Sequence, residues 1–258
     1  MTGRALLFAA ASLSIIAAQA VTDGRTADDA GGGTETRPAT MSAPLHRTVF
    51  REKKSGRYEI SIAYPQFRPP TNAAQRAFNR AAHDIVFDKD PVAEYRQLEP
   101  PMAKGAENFY EVDYQTPLLD RRLASVLFQI AEYSGGAHPN SARTGLLFDI
   151  EDGRALALSD VLADPQAAIP AIAAECKAQI EAEAKKEDWE LFDNADFGAV
   201  VGDVAAWSAE KDGVDILYNP YSVAAYVVGP RDCRLSYAEL ARWLKPGGPL
   251  PPHQEEAK

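Results

Sequence analysis

The stretch Tyr133-Ser134-Gly135-Gly136-Ala137-His138-Pro139-Asn140 decides how the middle of this chain folds. A run of alternating residues leads into it from Arg122, and a second strand-like run follows from Thr144 to Glu151. Alternation with a period of two is typical of a half-buried strand. Glycine reaches backbone conformations that other residues avoid, and the residue before a proline is biased towards extended geometry. We therefore predict that the stretch is the loop of a long β-hairpin.

Outward from this loop, strand and helix signals interleave along the chain. Asp152-Gly153 is a two-residue hairpin signal, and Tyr58 to Tyr64 alternates as a strand does. Asn72 is a potential helix cap, and Asp164-Pro165 is a typical helix start. Ala224 to Val228 is expected to form a strand. This order predicts an α+β fold, with a mostly antiparallel sheet of hairpins and two or three packed helices.

The first twenty residues have the pattern of a cleaved secretory signal. Arg4 supplies the positive charge, an apolar run follows, and Ala18-Gln19-Ala20 is a small-x-small cleavage site. The apolar run is shorter than the roughly 20 residues that a spanning helix needs. We expect cleavage near Ala20 and a periplasmic or secreted protein without a membrane span.

The rest of the chain divides into four segments by composition. Residues 21–45 are expected to be a disordered linker, because they contain little that folding could bury. The folded part is expected to comprise an N-terminal subdomain, residues 46–158, and a C-terminal subdomain, residues 159–245. Pro246-Gly247-Gly248-Pro249 indicates the end of the domain, so residues 246–258 are expected to be a loose tail.

The net charge bears on the kind of partner. The chain has a formal net charge of −10, and loss of Arg4 with the signal would make it one unit more negative. An acidic surface disfavours nucleic acid and favours a cationic protein, because opposite charges raise encounter rates. Solubility alone is the other explanation for an acidic exported protein.

The two cysteines, Cys176 and Cys233, leave two alternatives open. Cys176 falls on the apolar stripe of the helix that begins at Asp164-Pro165. An oxidising compartment permits a disulfide between the two residues. They could equally be two separate buried thiols, because sequence does not give the distance between them.

The sequence contains no recognisable catalytic or metal-binding motif. The histidines lack the close helical spacing of a zinc site, and there is no nucleophile elbow or phosphate-binding loop. We expect no metal and no cofactor. His138 either hydrogen-bonds a backbone carbonyl within a shaped loop, or lies with Asn140 on a loop that meets a partner.

Two groups of motifs resemble a known family. The first, Tyr133–Asn140 followed by Asp149-Ile150 and Leu158–Leu162, resembles the PdaC-type extracellular domain. The second, Val214–Tyr221 followed by Ala225-Tyr226 and Gly229, resembles the RsiV-type C-terminal domain that adjoins it. The resemblance spans roughly residues 55–245 and implies an ectodomain of the bacterial cell envelope. Family members include an anti-sigma factor whose ectodomain binds lysozyme and a protein that joins this domain to a peptidoglycan deacetylase. We expect neither the signalling segment nor the deacetylase module in this chain.

These observations lead to two hypotheses of function. The first is an exported, non-catalytic binding module that recognises lysozyme, another cationic envelope protein or peptidoglycan. The alternative is an envelope enzyme that acts on peptidoglycan, with His138 as acid or base, because histidine suits proton transfer near neutral pH. The candidate binding residues come from the two family motifs: Tyr133, Gly135, Gly136, His138, Asn140, Asn219 and Tyr221.

Overall fold

The structure, a computed structural model, describes residues 44–101 and 106–251. The expected signal segment, all but the last two residues of the expected linker, and residues 252–258 of the expected tail lie outside the described residues. Six strands form the first sheet, in the order in which they occur in the sequence. They are β1 (Leu45–Lys54), β2 (Tyr58–Phe67), β3 (Asn108–Leu119), β4 (Leu123–Tyr133), β5 (Asn140–Asp149) and β6 (Arg154–Ala155).

Helices α1 (Ala73–Phe87) and α2 (Pro91–Gln97) cover one face of this sheet. The Asn72 side chain accepts a hydrogen bond from the Gln75 backbone N–H and so caps α1, as the sequence predicts. Because both helices lie between β2 and β3, these two strands pair in parallel, whereas the other neighbours pair antiparallel. The first core lies between helices and sheet and includes Ile60, Ile62, Phe67, Phe78, Val112, Val126, Phe128 and Phe148.

The chain then forms a second, smaller sheet of antiparallel strands. Its strands are β7 (Trp207–Ala209), β8 (Gly213–Tyr218) and β9 (Arg231–Ser236), and the helices around it are α3 (Leu158–Val161), α4 (Pro165–Glu187), α5 (Phe197–Val201) and α6 (Tyr237–Leu240). The prediction of a strand at Ala224–Val228 is wrong, because Tyr226–Val228 is a short 3-10 helix. The predicted α+β class, the antiparallel β4–β5 hairpin and the β5–β6 pairing are confirmed.

Strand β4 is buried on both faces over its first half. Ala124 and Val126 lie in the first core, while Leu123 lies in a second core beneath the smaller sheet. The buried Ser125 Oγ accepts a hydrogen bond of 3.0 Å from the Ala209 backbone N–H. The second core also includes Leu147, Ile172, Ile180, Trp207, Val214, Ile216, Tyr218 and Leu235. Strand β4 therefore contributes to both cores and hydrogen-bonds to strand β7 of the smaller sheet.

Cys176 of α4 and Cys233 of β9 form a disulfide, with their Cα atoms 5.1 Å apart. Both side chains are fully buried in the second core. The structure thus decides between the two alternatives in favour of the bonded pair. A disulfide is compatible with an extracellular location.

The first residues of the expected tail pack against the domain. The Arg122 guanidinium donates to the Gly247 and Gly248 carbonyls, at 3.0 and 3.1 Å, and Leu250 is buried in the second core. Residues 246–251 are therefore packed rather than loose. Over the two described ranges, no helix combines the length and hydropathy needed to cross a membrane.

Candidate functional site

The loop between β4 and β5 takes its shape from its two glycines. Gly135 and Gly136 have φ angles of +104° and +107°, which side-chain-bearing residues rarely adopt. A Cβ atom at either position would meet nothing within 4 Å, so conformation rather than space requires glycine here. The Tyr133 hydroxyl donates to the Gly136 carbonyl at 3.0 Å and braces the turn.

His138 lies exposed on this loop and stacks on a residue from the second half of the chain. Its ring centroid is 4.2 Å from that of Tyr226, with 23° between the planes. The His138 Nδ1 lies 2.8 Å from the Pro139 carbonyl oxygen, and because that oxygen only accepts, Nδ1 carries the proton. The Tyr226 hydroxyl donates to the same carbonyl at 2.6 Å. The ring of His138 is thereby held on two sides.

Tyr221 extends this pair into a larger surface. Its ring centroid lies 5.4 Å from that of Tyr226, and 57% of the residue is exposed. Its φ of +68° is uncommon for a residue with a side chain. Val227, next to Tyr226 in the chain, is 90% exposed. We call His138, Tyr221 and Tyr226 the aromatic platform.

Asn219 lies two residues before Tyr221 and joins β5 to the end of β8. Its side-chain oxygen accepts from the Arg143 backbone N–H at 2.7 Å, and its side-chain nitrogen donates to the Arg143 carbonyl at 2.9 Å. The side-chain amide of Asn219 thus makes the two hydrogen bonds to Arg143 that the backbone of a neighbouring strand would make. The Arg143 guanidinium in turn forms a two-point ion pair with Asp232, at 2.7 and 2.9 Å. Asn219 holds the segment that carries Tyr221 against the hairpin that carries His138.

We expect Asn219→Ala to lower the free energy of unfolding by about 2 kcal/mol, because a part-buried donor and acceptor of Arg143 lose their partners. Urea denaturation followed by circular dichroism measures the change. Asn194→Ala, which removes the same group from an exposed turn, is the matched control and should change little. Equal effects of both substitutions would contradict the role of Asn219.

The structure thus brings some predicted site residues together and separates others. His138 and Tyr221 meet through Tyr226, with the Gly135-Gly136 turn and Tyr133 supporting the loop. Asn140 instead turns towards helices α1 and α2, where it lies opposite Glu132 on β4. Tyr226 and Val227 were not among the predicted binding residues. For Tyr226 the signal in the sequence is its place in the C-terminal family motif, between Tyr221 and Gly229.

The chemistry available to the platform follows from its neighbours. Among the contacts the structure describes, His138 meets the Tyr226 ring and the Pro139 carbonyl. In residues 44–101 and 106–251, no three His, Cys, Asp or Glu side chains are placed to hold a metal ion. Exposed aromatic surface such as that of Tyr221 is suited to contact with another molecule.

Comparison with known proteins identifies two regions. Residues 51–141 match the family model described as Deacetylase PdaC, and residues 159–238 match the model described as Protein of unknown function (DUF3298). No curated protein sequence matches the chain.

Solved structures of similar fold include two DUF3298 proteins. One is from Bacteroides fragilis, with 17% identity and a TM-score of 0.54, covering 80% of this chain and 96% of that one. The other, from Pseudomonas aeruginosa PAO1, has 16% identity and a TM-score of 0.58, covering 79% and 95% respectively. At these identities the likeness concerns the fold.

Proposed function

We propose that this chain, which joins a PdaC region to a DUF3298 region, is an exported, non-catalytic binding module of the cell envelope. Its partner in this proposal is a cationic envelope protein of the lysozyme type. The contact surface is the aromatic platform. The main observation in support is that His138 of the PdaC region stacks on Tyr226 of the DUF3298 region. The platform is therefore assembled only when both regions are present.

The composition of the platform supports protein binding. Tyrosine is enriched among the residues that dominate protein interfaces, since it offers a large contact area at a low entropic cost. The Tyr226 hydroxyl is held by the Pro139 carbonyl, so little side-chain freedom remains to be lost on binding. The exposed Tyr221 and Val227 are the parts that a partner would cover.

The charge of the chain supports a basic partner. With a net charge of −10, the protein attracts cationic proteins over a distance of about 10 Å at moderate salt. The signal-like pattern of residues 1–20 supports export to the compartment in which envelope proteins meet such partners. Export remains part of the proposal.

Calorimetric titration of the protein with lysozyme tests this proposal. We expect saturable binding that weakens about tenfold when salt is raised from about 0.05 to 0.5 M, because screening removes the long-range attraction. Soluble peptidoglycan fragments are titrated in parallel. Binding of the fragments with no binding of lysozyme would replace the protein partner by the glycan, and failure of both would remove the proposal.

The alternative function, an enzyme with His138 as acid or base, predicts a different result. Incubation of peptidoglycan with the protein should then release products, and His138→Ala should abolish them. The binding proposal expects the same product profile from the protein, from His138→Ala and from a sample without protein. Products that depend on His138 would favour the enzyme.

A further inference from the structure

A groove of about 660 Å³ lies between helices α1 and α2 and the face of strands β3 to β5 that turns towards them. We call it the α1–α2 groove. Its volume is within the range of about 300–1,000 Å³ that is usual for small-ligand sites. The three residues of the aromatic platform do not line it. It is a separate surface that shares only the β4–β5 hairpin with the platform.

Strand register gives the floor of the groove a gradient of polarity. Tyr110, Glu132 and Asn140 lie side by side on three neighbouring strands and form an outer, polar row. One step further along the strands, Ile130 lies opposite Ala142 and forms an apolar row. On the facing wall, Ala81 and Ile85 of α1 are one helical turn apart and line the same groove. A ligand would therefore meet a polar end and an apolar end.

The groove as a whole carries a net negative charge. Its lining includes four carboxylates and one basic side chain, that of Lys89: the acids are Asp84, Asp88, Glu94 and Glu132. Among the residues the structure describes, neither Glu94 nor Glu132 forms an ion pair with a basic side chain. Burial, followed by the negative charges of Glu132 and then Glu94, raises the pKa of Tyr110 to about 12. Both carboxylates thus act on the part of the groove beside Tyr110.

We propose that the α1–α2 groove binds a small organic cation that joins an amine to an apolar body. The amine lies beside Glu94 and Glu132, and the apolar body lies against Ile85 and Ile130. An amine donates charge-assisted hydrogen bonds to carboxylates, and an apolar body removes the exposed isoleucine surface from water. The carboxylates repel an anion of the same shape. A polyamine has no apolar body and therefore leaves Ile85 and Ile130 exposed to water. This inference does not depend on the proposed function.

Titration followed by two-dimensional amide NMR spectra tests the groove with three probes. Phenethylamine has an amine and an apolar ring, phenylpropionate replaces the amine by a carboxylate, and putrescine has two amines without a ring. We expect saturable shifts with phenethylamine at residues 130–132 and 140–142, none with phenylpropionate, and about tenfold weaker binding of putrescine. Absence of saturable shifts with phenethylamine, or equal binding of phenylpropionate, would overturn the proposal.

A pair of charge-neutralising variants separates the groove from general electrostatics. The double variant Glu94→Gln/Glu132→Gln should bind phenethylamine at least about tenfold more weakly. The control Glu175→Gln/Glu190→Gln removes the same charge from exposed positions outside the groove, and its affinity should be unchanged. The dispersion of the amide spectra reports whether each variant is folded. Equal losses in both double variants would contradict a specific site.

Discussion

Replacing Cys176 and Cys233 together by alanine is expected to lower the free energy of unfolding by about 4 kcal/mol. The disulfide closes a loop with a sequence separation of 57 residues, and a cross-link over such a length restricts the unfolded chain by about that amount in the chain-entropy model. It ties α4 to β9 within the second core. Guanidinium denaturation of the variant and the unchanged protein, both without reductant, measures the difference.

Reduction provides the control for this experiment. Dithiothreitol should destabilise the unchanged protein by a similar amount, and it should leave the double variant unaffected because no disulfide remains. A loss below about 1 kcal/mol in both arms would show that the cross-link contributes little to stability. An effect of reductant on the double variant would show that the comparison measures something other than the disulfide.

The second large effect is expected from Gly145→Ala, with a loss of about 3 kcal/mol in the free energy of unfolding. A Cβ atom at position 145 would fall inside the van der Waals contact distance of the Trp207 carbonyl oxygen, so strand β5 and strand β7 would have to separate. Overpacking of this kind costs typically about 1–3 kcal/mol, and here the obstructing atom belongs to the backbone and cannot rotate away.

Gly198→Ala is the matched control for Gly145→Ala. Gly198 lies in helix α5, where an added Cβ would be 3.4 Å from the Asp196 side chain, an ordinary contact distance. Alanine is also the better helix former, by about 1 kcal/mol. We expect thermal denaturation to show a lower midpoint for Gly145→Ala and no loss for Gly198→Ala. An unchanged midpoint for Gly145→Ala would contradict the close approach of the two sheets.

The features that the sequence predicted are those that depend on neighbours in the chain. The Gly135-Gly136 turn, the Asn72 cap and the Asp152-Gly153 hairpin are each set by a few consecutive residues, whose preferences act over short distances. The α+β class follows from the order of such local signals. Family resemblance added the correct order of the two regions.

The features that the sequence did not predict depend on residues far apart in the chain. The hydrogen bond from Tyr226 to Pro139 joins positions 87 residues apart, and the pairing of Asn219 with Arg143 joins positions 76 residues apart. Alternation along a strand says which side chains share a face but not what covers that face. For the same reason the sequence did not decide whether Cys176 and Cys233 are bonded. The residues around Gly145 likewise do not indicate its contact with Trp207.

In the proposed function, the aromatic platform binds a cationic envelope protein. The most direct measurement is calorimetric titration of lysozyme into the unchanged protein, Tyr226→Ala and His83→Ala. His83 is a matched control because it is exposed and stacks on Phe87, at 4.6 Å, outside the platform. We predict that Tyr226→Ala weakens binding about thirtyfold, as expected for an interface residue of large effect, and that His83→Ala has no effect. Equal affinities for all three proteins, or no binding by the unchanged protein, would contradict binding at the aromatic platform.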